Sequence, residues 1–159
     1  MKITVITVGK LKEKFFREAA SEYEKRLGRY CKLEIRETAD EKTPDGASEA
    51  EREQILQKEG ERIARLLPEG AYMVTLEIEG RKFTSEAFAG EIERLGISGV
   101  GHVVFVIGGS LGLHNSIKER ADLSVSFSDM TFPHQLMRVV LLEQIYRAFR
   151  IINGEPYHK

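Results

Sequence analysis

HVVFVI, the stretch from His102 to Ile107, is an unbroken apolar run of the length of a single strand. A run of this kind is typical of a parallel sheet, in which helices cover both faces of each strand. Gly108, Gly109 and Ser110 follow directly and end the run. The stretch therefore predicts a strand that is buried on both sides within an α/β fold.

Hydrophobic periodicity on either side of this stretch predicts an alternation of strands and helices. The predicted strands are Lys2–Val8, Tyr30–Arg36, Ala71–Ile78, His102–Ile107 and Asp122–Ser126, with Glu79-Gly80 as the turn after the third. The predicted helices run from about Lys12 to Leu27, from a cap at Ser48 to Leu67, from a cap at Thr84 or Ser85 to Leu95, from Asn115 to Arg120, and from His134 to Ile152. This order predicts an open, mostly parallel sheet with helices on both faces, in one domain over residues 1–159.

The composition is that of a soluble globular protein. Of the 159 residues, 42% are apolar and 31% are charged, and no apolar run approaches the length of a membrane span. The N-terminal MKITVITVGK lacks the pattern of a signal peptide. Cys31 is the single cysteine, which fits a reducing compartment and a small buried side chain. We expect a cytoplasmic protein without membrane contacts.

The charge is unevenly distributed along the chain. The net charge is −1, which argues against a protein that is wrapped in nucleic acid over its whole surface. Residues 37–69 hold ten acidic and five basic side chains, whereas residues 134–159 hold four basic and two acidic ones. We therefore expect any RNA-facing surface to lie toward the C-terminal part.

The last predicted helix, His134–Ile152, is apolar on nearly all sides. A helix of this kind must be covered on nearly all sides, and one layer of a small α/β domain covers only one of them. Either a second copy of the chain, packed by two-fold symmetry, or a loop of the same chain supplies the remaining cover. We favour a homodimer.

Two loops at predicted strand ends are candidates for ligand binding, because ligands of open α/β sheets bind beyond the carboxyl ends of the strands. In FVIGGSLGL, Phe105–Leu113, the glycines either bring the backbone close to a ligand or form a tight turn without one. They match neither the dinucleotide fingerprint nor the phosphate loop. In LSVSFSDMTFPHQ, Leu123–Gln135, the apolar residues either pack on the core or line a pocket for a flat ligand such as a base.

The C-terminal Tyr157-His158-Lys159 is a third candidate. Its side chains suit stacking on a base, proton transfer and phosphate binding, although chain ends are more often solvated. The other histidines, His102, His114 and His134, have no metal-binding spacing, so we predict no metal site. The sequence lacks the G-x-S-x-G nucleophile elbow that would indicate a hydrolase.

Three segments resemble a known family. They are the opening MKITVITVGKLKEKFFREAASEYEKRL, the glycine-rich FVIGGSLGL, and LSVSFSDMTFPHQLMRVVLLEQIYRAFRIINGEPYHK at residues 123–159. Together they resemble the bacterial 23S ribosomal RNA pseudouridine N3-methyltransferases of the SPOUT class, the RlmH family. The resemblance covers essentially the whole chain, and residues 123–159 are its most specific part.

The resemblance implies a fold, a cofactor and partners that spacing alone does not show. The fold implied is α/β with a deep trefoil knot in its C-terminal part, although knots are otherwise nearly excluded. The cofactor implied is S-adenosylmethionine, which leaves as S-adenosylhomocysteine. Its contacts by motif match are Leu76, Gly108, Phe127, Ser128, Asp129, Met130, Thr131 and Phe132. The enzyme implied is a homodimer that binds RNA across both subunits and methylates N3 of a pseudouridine in the large-subunit RNA of the assembled ribosome.

The chemistry implied is an in-line attack of N3 on the sulfonium methyl, with loss of the N3 proton. We hypothesise that the tail enters the cofactor pocket of the partner subunit, where Tyr157 orients the base and His158 assists proton removal or holds the RNA. The alternatives are a SPOUT enzyme acting on transfer RNA and a ribosome-binding factor without catalysis. The missing phosphate loop disfavours a nucleotide-binding switch.

Overall fold

The computed structural model describes residues Met1–Lys159, and its strands and helices alternate in the predicted order. The strands are β1 (Lys2–Val8), β2 (Lys32–Thr38), β3 (Tyr72–Lys82), β4 (His102–Ile107) and β5 (Leu123–Ser126). The helices are α1 (Lys14–Leu27), α2 (Glu49–Leu66), α3 (Ser85–Ile97), α4 (Asn115–Lys118) and α5 (His134–Ile152). None of the helices combines the length and the apolar composition needed to cross a lipid bilayer.

The strands form one parallel sheet in the order β2-β1-β4-β3-β5. β4 is the central strand, and five of its six residues, Val103–Ile107, are buried. Successive side chains of a strand point to opposite faces, so its apolar run supplies both layers of the core. The prediction of a buried parallel strand from this stretch is confirmed.

Helices cover both faces of the sheet, as predicted. The larger core lies between the sheet and α1, α3 and α5, and it includes Ile3, Val5, Phe105, Leu141 and Ile145. The smaller core lies on the opposite face beneath α2 and α4, and it includes Ile6, Val8, Val104, Val106, Ile63 and Ile117. The capping box of α2 also forms, since Ser48 and Glu51 exchange side-chain and backbone hydrogen bonds of 3.2 and 3.3 Å.

The predicted turn at Glu79-Gly80 is wrong, because β3 continues through it to Lys82. The pairing with β5 shifts register between Leu76 and Arg81 and then resumes. At Gly80 a β-carbon would lie only 2.7 Å from the carbonyl carbon of Val125. This glycine therefore permits a close approach of two strands rather than a turn.

The second strand begins at Lys32 rather than at Tyr30. The backbone N–H groups of Tyr30 and Cys31 both donate to the carbonyl of Leu27, at 2.8 and 3.0 Å. These bonds satisfy the end of α1, so the two residues continue the helix terminus and pairing with β1 starts after them.

Candidate functional site

A pocket of about 770 Å³ opens at the carboxyl ends of β3, β4 and β5. Seven of the eight residues predicted to contact a cofactor line it, namely Leu76, Gly108, Phe127, Ser128, Met130, Thr131 and Phe132. The eighth, Asp129, points outward, where its carboxylate pairs with Lys82 Nζ at 2.6 Å. The volume lies in the range of pockets for drug-sized ligands and cofactors. The structure thus brings together the two loops that the sequence singled out.

The glycine-rich segment forms one wall of this pocket as a tight turn. A β-carbon on Gly108 would lie 2.3 Å from the carbonyl oxygen of Gly112, and Gly112 has a φ of +85°. The turn is closed by a 3.1 Å hydrogen bond from Gly112 N–H to Gly109 O. Glycine is required at Gly108 because the chain folds against itself there, and the same fold presents backbone groups to the pocket.

Residues 127–133 form the opposite wall. Part of this loop packs on the core and part of it lines the pocket, so both alternatives considered for it apply. Phe127 packs edge-on against Phe88 of the core, with ring centroids 6.1 Å apart. The loop is braced internally, since Met130 N–H donates to Ser128 Oγ at 2.9 Å. Met130, which is 73% exposed, and Phe132 line the pocket instead of packing in the core. The site therefore has apolar side chains beside a backbone of fixed shape.

Glu77 is a charged residue of the pocket that the sequence did not identify. Its Oε2 accepts hydrogen bonds of 2.6 Å from the hydroxyls of Thr75 and Ser124. Lys118 Nζ lies 3.7 Å from the other carboxylate oxygen. β3 and β5 are distant in sequence and meet only in the sheet, so no local pattern predicts this cluster.

His134 also lines the pocket, at the start of α5. Burial lowers its pKa and outweighs the opposing effect of nearby Asp40. The imidazole is therefore held more strongly in its neutral form than an exposed histidine. His102 and His114 lie elsewhere, bonded to Thr4 and Glu53 respectively. No group of three or more histidine, cysteine or acidic side chains lies close enough together to hold a metal ion.

Glu59 of α2 packs against the back of the turn at residues 108–112, which we call the glycine turn. The residue is 4% exposed, and a β-carbon on Gly109 would lie 3.1 Å from its Oε1. Its Oε2 accepts the backbone N–H of Glu41 at 2.9 Å, while Oε1 has no hydrogen-bond partner. Burial raises the pKa of Glu59, and this effect exceeds the lowering by that hydrogen bond.

Replacing Glu59 with Gln is expected to change how stability depends on pH. The folded protein holds the Glu59 proton more tightly than the unfolded chain, whose carboxyl titrates near the ordinary value of about 4.3. The resulting stability is fully present below that unfolded pKa and is lost as the pH rises through the raised folded pKa. The E59Q variant should therefore gain stability relative to the wild type as the pH rises above the unfolded pKa of about 4.3, as measured by urea unfolding at a series of pH values. Glu61→Gln, on the exposed side of the same helix, is the control, and a difference between E59Q and wild type that stays constant with pH contradicts this expectation.

The C-terminal tail is folded against α5 rather than solvated. Tyr157 donates its hydroxyl proton to Glu143 Oε1 at 2.9 Å, and burial together with this carboxylate raises the Tyr157 pKa. His158 Nε2 lies 2.7 Å from Glu86 Oε1, and its Nδ1 lies 3.1 Å from Arg147 Nη1. Neither Tyr157 nor His158 lines the pocket of its own chain. Within one chain, the predicted cofactor contacts and the predicted catalytic residues are therefore at separate places.

Comparisons with known proteins show the family of this chain. Residues 1–158 match the family model described as "Predicted SPOUT methyltransferase". A protein of Bifidobacterium adolescentis named ribosomal RNA large subunit methyltransferase H is 61% identical over 159 residues and covers the whole of both chains. A protein of the same name from Clostridium beijerinckii is 57% identical with the same coverage.

A solved structure described as "a probable methylase family protein from Haemophilus influenzae Rd KW20" shares the fold. The TM-score is 0.53 at 12% identity, over 99% of this chain and 70% of that one. At this identity the likeness concerns the fold alone. The family model and the full-length relatives together show that the chain belongs to the SPOUT methyltransferases, and within them to the RlmH family.

Proposed function

We propose that this protein transfers a methyl group from S-adenosylmethionine to N3 of a pseudouridine in the 23S ribosomal RNA of the assembled ribosome. The observation that carries the proposal is the pocket between the glycine turn and residues 127–133, at the carboxyl edge of the sheet. The names of the full-length relatives support a ribosomal RNA of the large subunit as substrate. We place the reaction in the cytoplasm, where ribosomes are found.

The pocket fits the adenosyl part of the cofactor in size and in chemistry. Leu76, Phe127 and Phe132 offer apolar surface to a flat ring, and the backbone of the glycine turn offers hydrogen-bonding groups to its edge. When bound, the cofactor supplies an electrophilic methyl group on a sulfonium. Asp129 pairs with Lys82 at the surface, so its contribution is through its backbone rather than through its carboxylate.

A homodimer explains how the tail reaches a cofactor. Tyr157 and His158 lie outside the pocket of their own chain, so we propose that each tail serves the pocket of the partner subunit. Apolar residues of α5 remain only half-buried in the single chain, including Leu136, Val140 and Ile151. A second copy packed on this helix is the cover that we propose. Family membership further supports a deep trefoil knot in the C-terminal part.

The tail then has two tasks in the reaction. The N3 proton must leave before or during attack on the methyl group. We assign assistance in this proton removal, or retention of the RNA, to the His158 imidazole, and orientation of the base to the Tyr157 ring. Arg147 lies over that ring, with Cζ 4.7 Å from the centroid, and Glu143 accepts its hydroxyl proton. These contacts hold the ring in one orientation.

We expect His158→Ala to lower turnover about a hundredfold, the lower end of the range of effects of general acid–base groups. Cofactor affinity, measured by calorimetry, should stay nearly unchanged, because we assign His158 to the base and its proton, whereas the residues assigned to the cofactor are Leu76, Gly108 and residues 127–132. Glu86→Gln is the matched control, since it weakens the anchoring of the tail at Glu86 and keeps the imidazole. Unchanged turnover in His158→Ala removes this residue from the mechanism.

Mass spectrometry of ribosomal RNA from cells with and without the gene tests the function itself. Loss of one methyl group on one pseudouridine is the expected result. Methylation that is lost from transfer RNA instead assigns the enzyme to a different substrate. A protein that gives no binding heat with S-adenosylmethionine is a ribosome-binding factor and not a methyltransferase.

A further inference from the structure

The cations of the C-terminal part, where we expected an RNA-facing surface, are largely neutralised within the chain. Arg138, Arg147 and Arg150 each form a salt bridge to a carboxylate, and the partners are Glu37, Glu143 and Glu155 respectively. Of the four basic residues in this part, only Lys159 remains without such a partner. The net positive charge of residues 134–159 therefore overstates the number of cations in this part that are free to bind a phosphate.

Exposed cations lie instead in a segment after β1, which we call the basic segment and define as Lys10–Arg17. Lys10 and Lys12 are exposed and form no salt bridge, and Lys14 Nζ is 3.7 Å from Glu18 in an exposed pair of little strength. Phe15 is 62% exposed and leans on Phe16 with ring centroids 4.5 Å apart. An exposed aromatic ring among lysines is the combination by which proteins bind single-stranded nucleic acid.

The basic segment is fixed beside the pocket. Lys12 N–H donates to Gln135 Oε1 at 2.9 Å, and a β-carbon on Gly9 would lie 3.2 Å from Nε2 of His134, which lines the pocket. The Arg17 guanidinium donates to the carbonyls of Leu11 and Lys12 at 3.3 and 2.7 Å. The backbone of the loop is thus held from both sides, so little backbone conformational entropy is lost when its lysines bind a ligand.

We propose that the basic segment binds the RNA strand that carries the target base, with Lys10, Lys12 and Lys14 on phosphates and Phe15 stacked on an unpaired base. The inference rests on the proposed function, because it takes ribosomal RNA as the substrate. The segment contacts Gln135, the chain neighbour of His134, which lines the pocket. Contacts there position a strand whose target base reaches the pocket.

The test compares binding to ribosomes from cells that lack the gene, over a range of salt concentrations. The double variant Lys10→Gln/Lys12→Gln should reduce the slope of log affinity against log salt by about one to two, since each phosphate contact contributes about one. Phe15→Ala should weaken binding about tenfold with little change in slope, as expected for a lost stacking contact. In turnover assays both variants should raise KM and leave kcat and the affinity for S-adenosylmethionine nearly unchanged.

Lys25→Gln/Lys32→Gln is the matched control, because both lysines are exposed near the amino edge of the sheet, away from the pocket, and the change in charge is the same. Equal losses in the two double variants mean that only net charge matters, which overturns the proposal. It is also overturned if both test variants bind like the wild type. A wild-type protein that methylates no ribosomal RNA refutes the proposed function instead, which separates the two failures.

Discussion

Gly108→Ala is expected to lower the affinity for S-adenosylmethionine about a hundredfold, the effect of losing two hydrogen bonds of about 1.4 kcal/mol each. The added methyl group would lie 2.3 Å from Gly112 O and 2.6 Å from its carbonyl carbon. Both contacts are with backbone, so no side-chain rotation relieves them. The turn itself has to open, and the backbone groups that we assign to the adenosyl edge move with it. Calorimetry with S-adenosylmethionine measures the loss.

Gly90→Ala is the matched control for this substitution. Gly90 lies within α3, and a β-carbon there would meet nothing within 4 Å. Alanine in a helix interior is favoured over glycine by about 1 kcal/mol, so this variant should be slightly more stable and bind the cofactor normally. Thermal unfolding of both variants separates a local change of the turn from a loss of fold. Normal affinity in a folded Gly108→Ala protein contradicts the assignment of the glycine turn to the cofactor.

The fold follows from the sequence to the extent that its signals are local. The apolar run of β4 and the capping box at Ser48 depend on neighbours in the chain, and both predictions are confirmed. Gly80 is a residue whose role local signals do not predict. A glycine after a strand predicts a turn, but here it is needed because Val125, 45 positions further along, lies against it. Only the assembled sheet reveals that contact.

The residues of the candidate site also divide into those that local signals predict and those that depend on long-range contacts. Ligands of parallel sheets bind at the carboxyl edge, so loops at strand ends were recognisable as two walls of one pocket. Glu77 and Glu59 were not recognised, because Glu77 is bonded to Ser124 of a strand that is distant in sequence, and Glu59 of α2 contacts Gly109, which is 50 residues away. The tail was expected to be solvated unless functional, yet Tyr157 and His158 are bound by residues of α3 and α5. The surroundings and roles of these side chains depend on tertiary contacts, which the sequence alone does not reveal.

Arg138→Ala is expected to destabilise the protein by about 3 kcal/mol, near the lower end of the range for breaking a buried ion pair. Arg138 is 4% exposed, and its Nη2 donates to Thr7 Oγ1 at 2.7 Å and to Gly9 O at 3.2 Å. The same nitrogen lies 2.8 Å from Glu37 Oε2. These bonds join the first turns of α5 to the end of β1. Removing them leaves buried acceptors without donors and a cavity where the side chain was.

The estimate is at the lower end because the Glu37 side chain is 33% exposed, so water still solvates its carboxylate when Arg138 is removed. Urea unfolding measures the change, and it is a large part of the 5–15 kcal/mol that is typical of a whole domain. Glu18→Gln breaks the exposed pair with Lys14 and should cost less than about 0.5 kcal/mol. Arg138→Met fills most of the volume without the charge, so it should cost less than alanine. If alanine costs as little as Glu18→Gln, the Arg138 contacts do not hold α5 to the sheet, and packing of its apolar face alone does so.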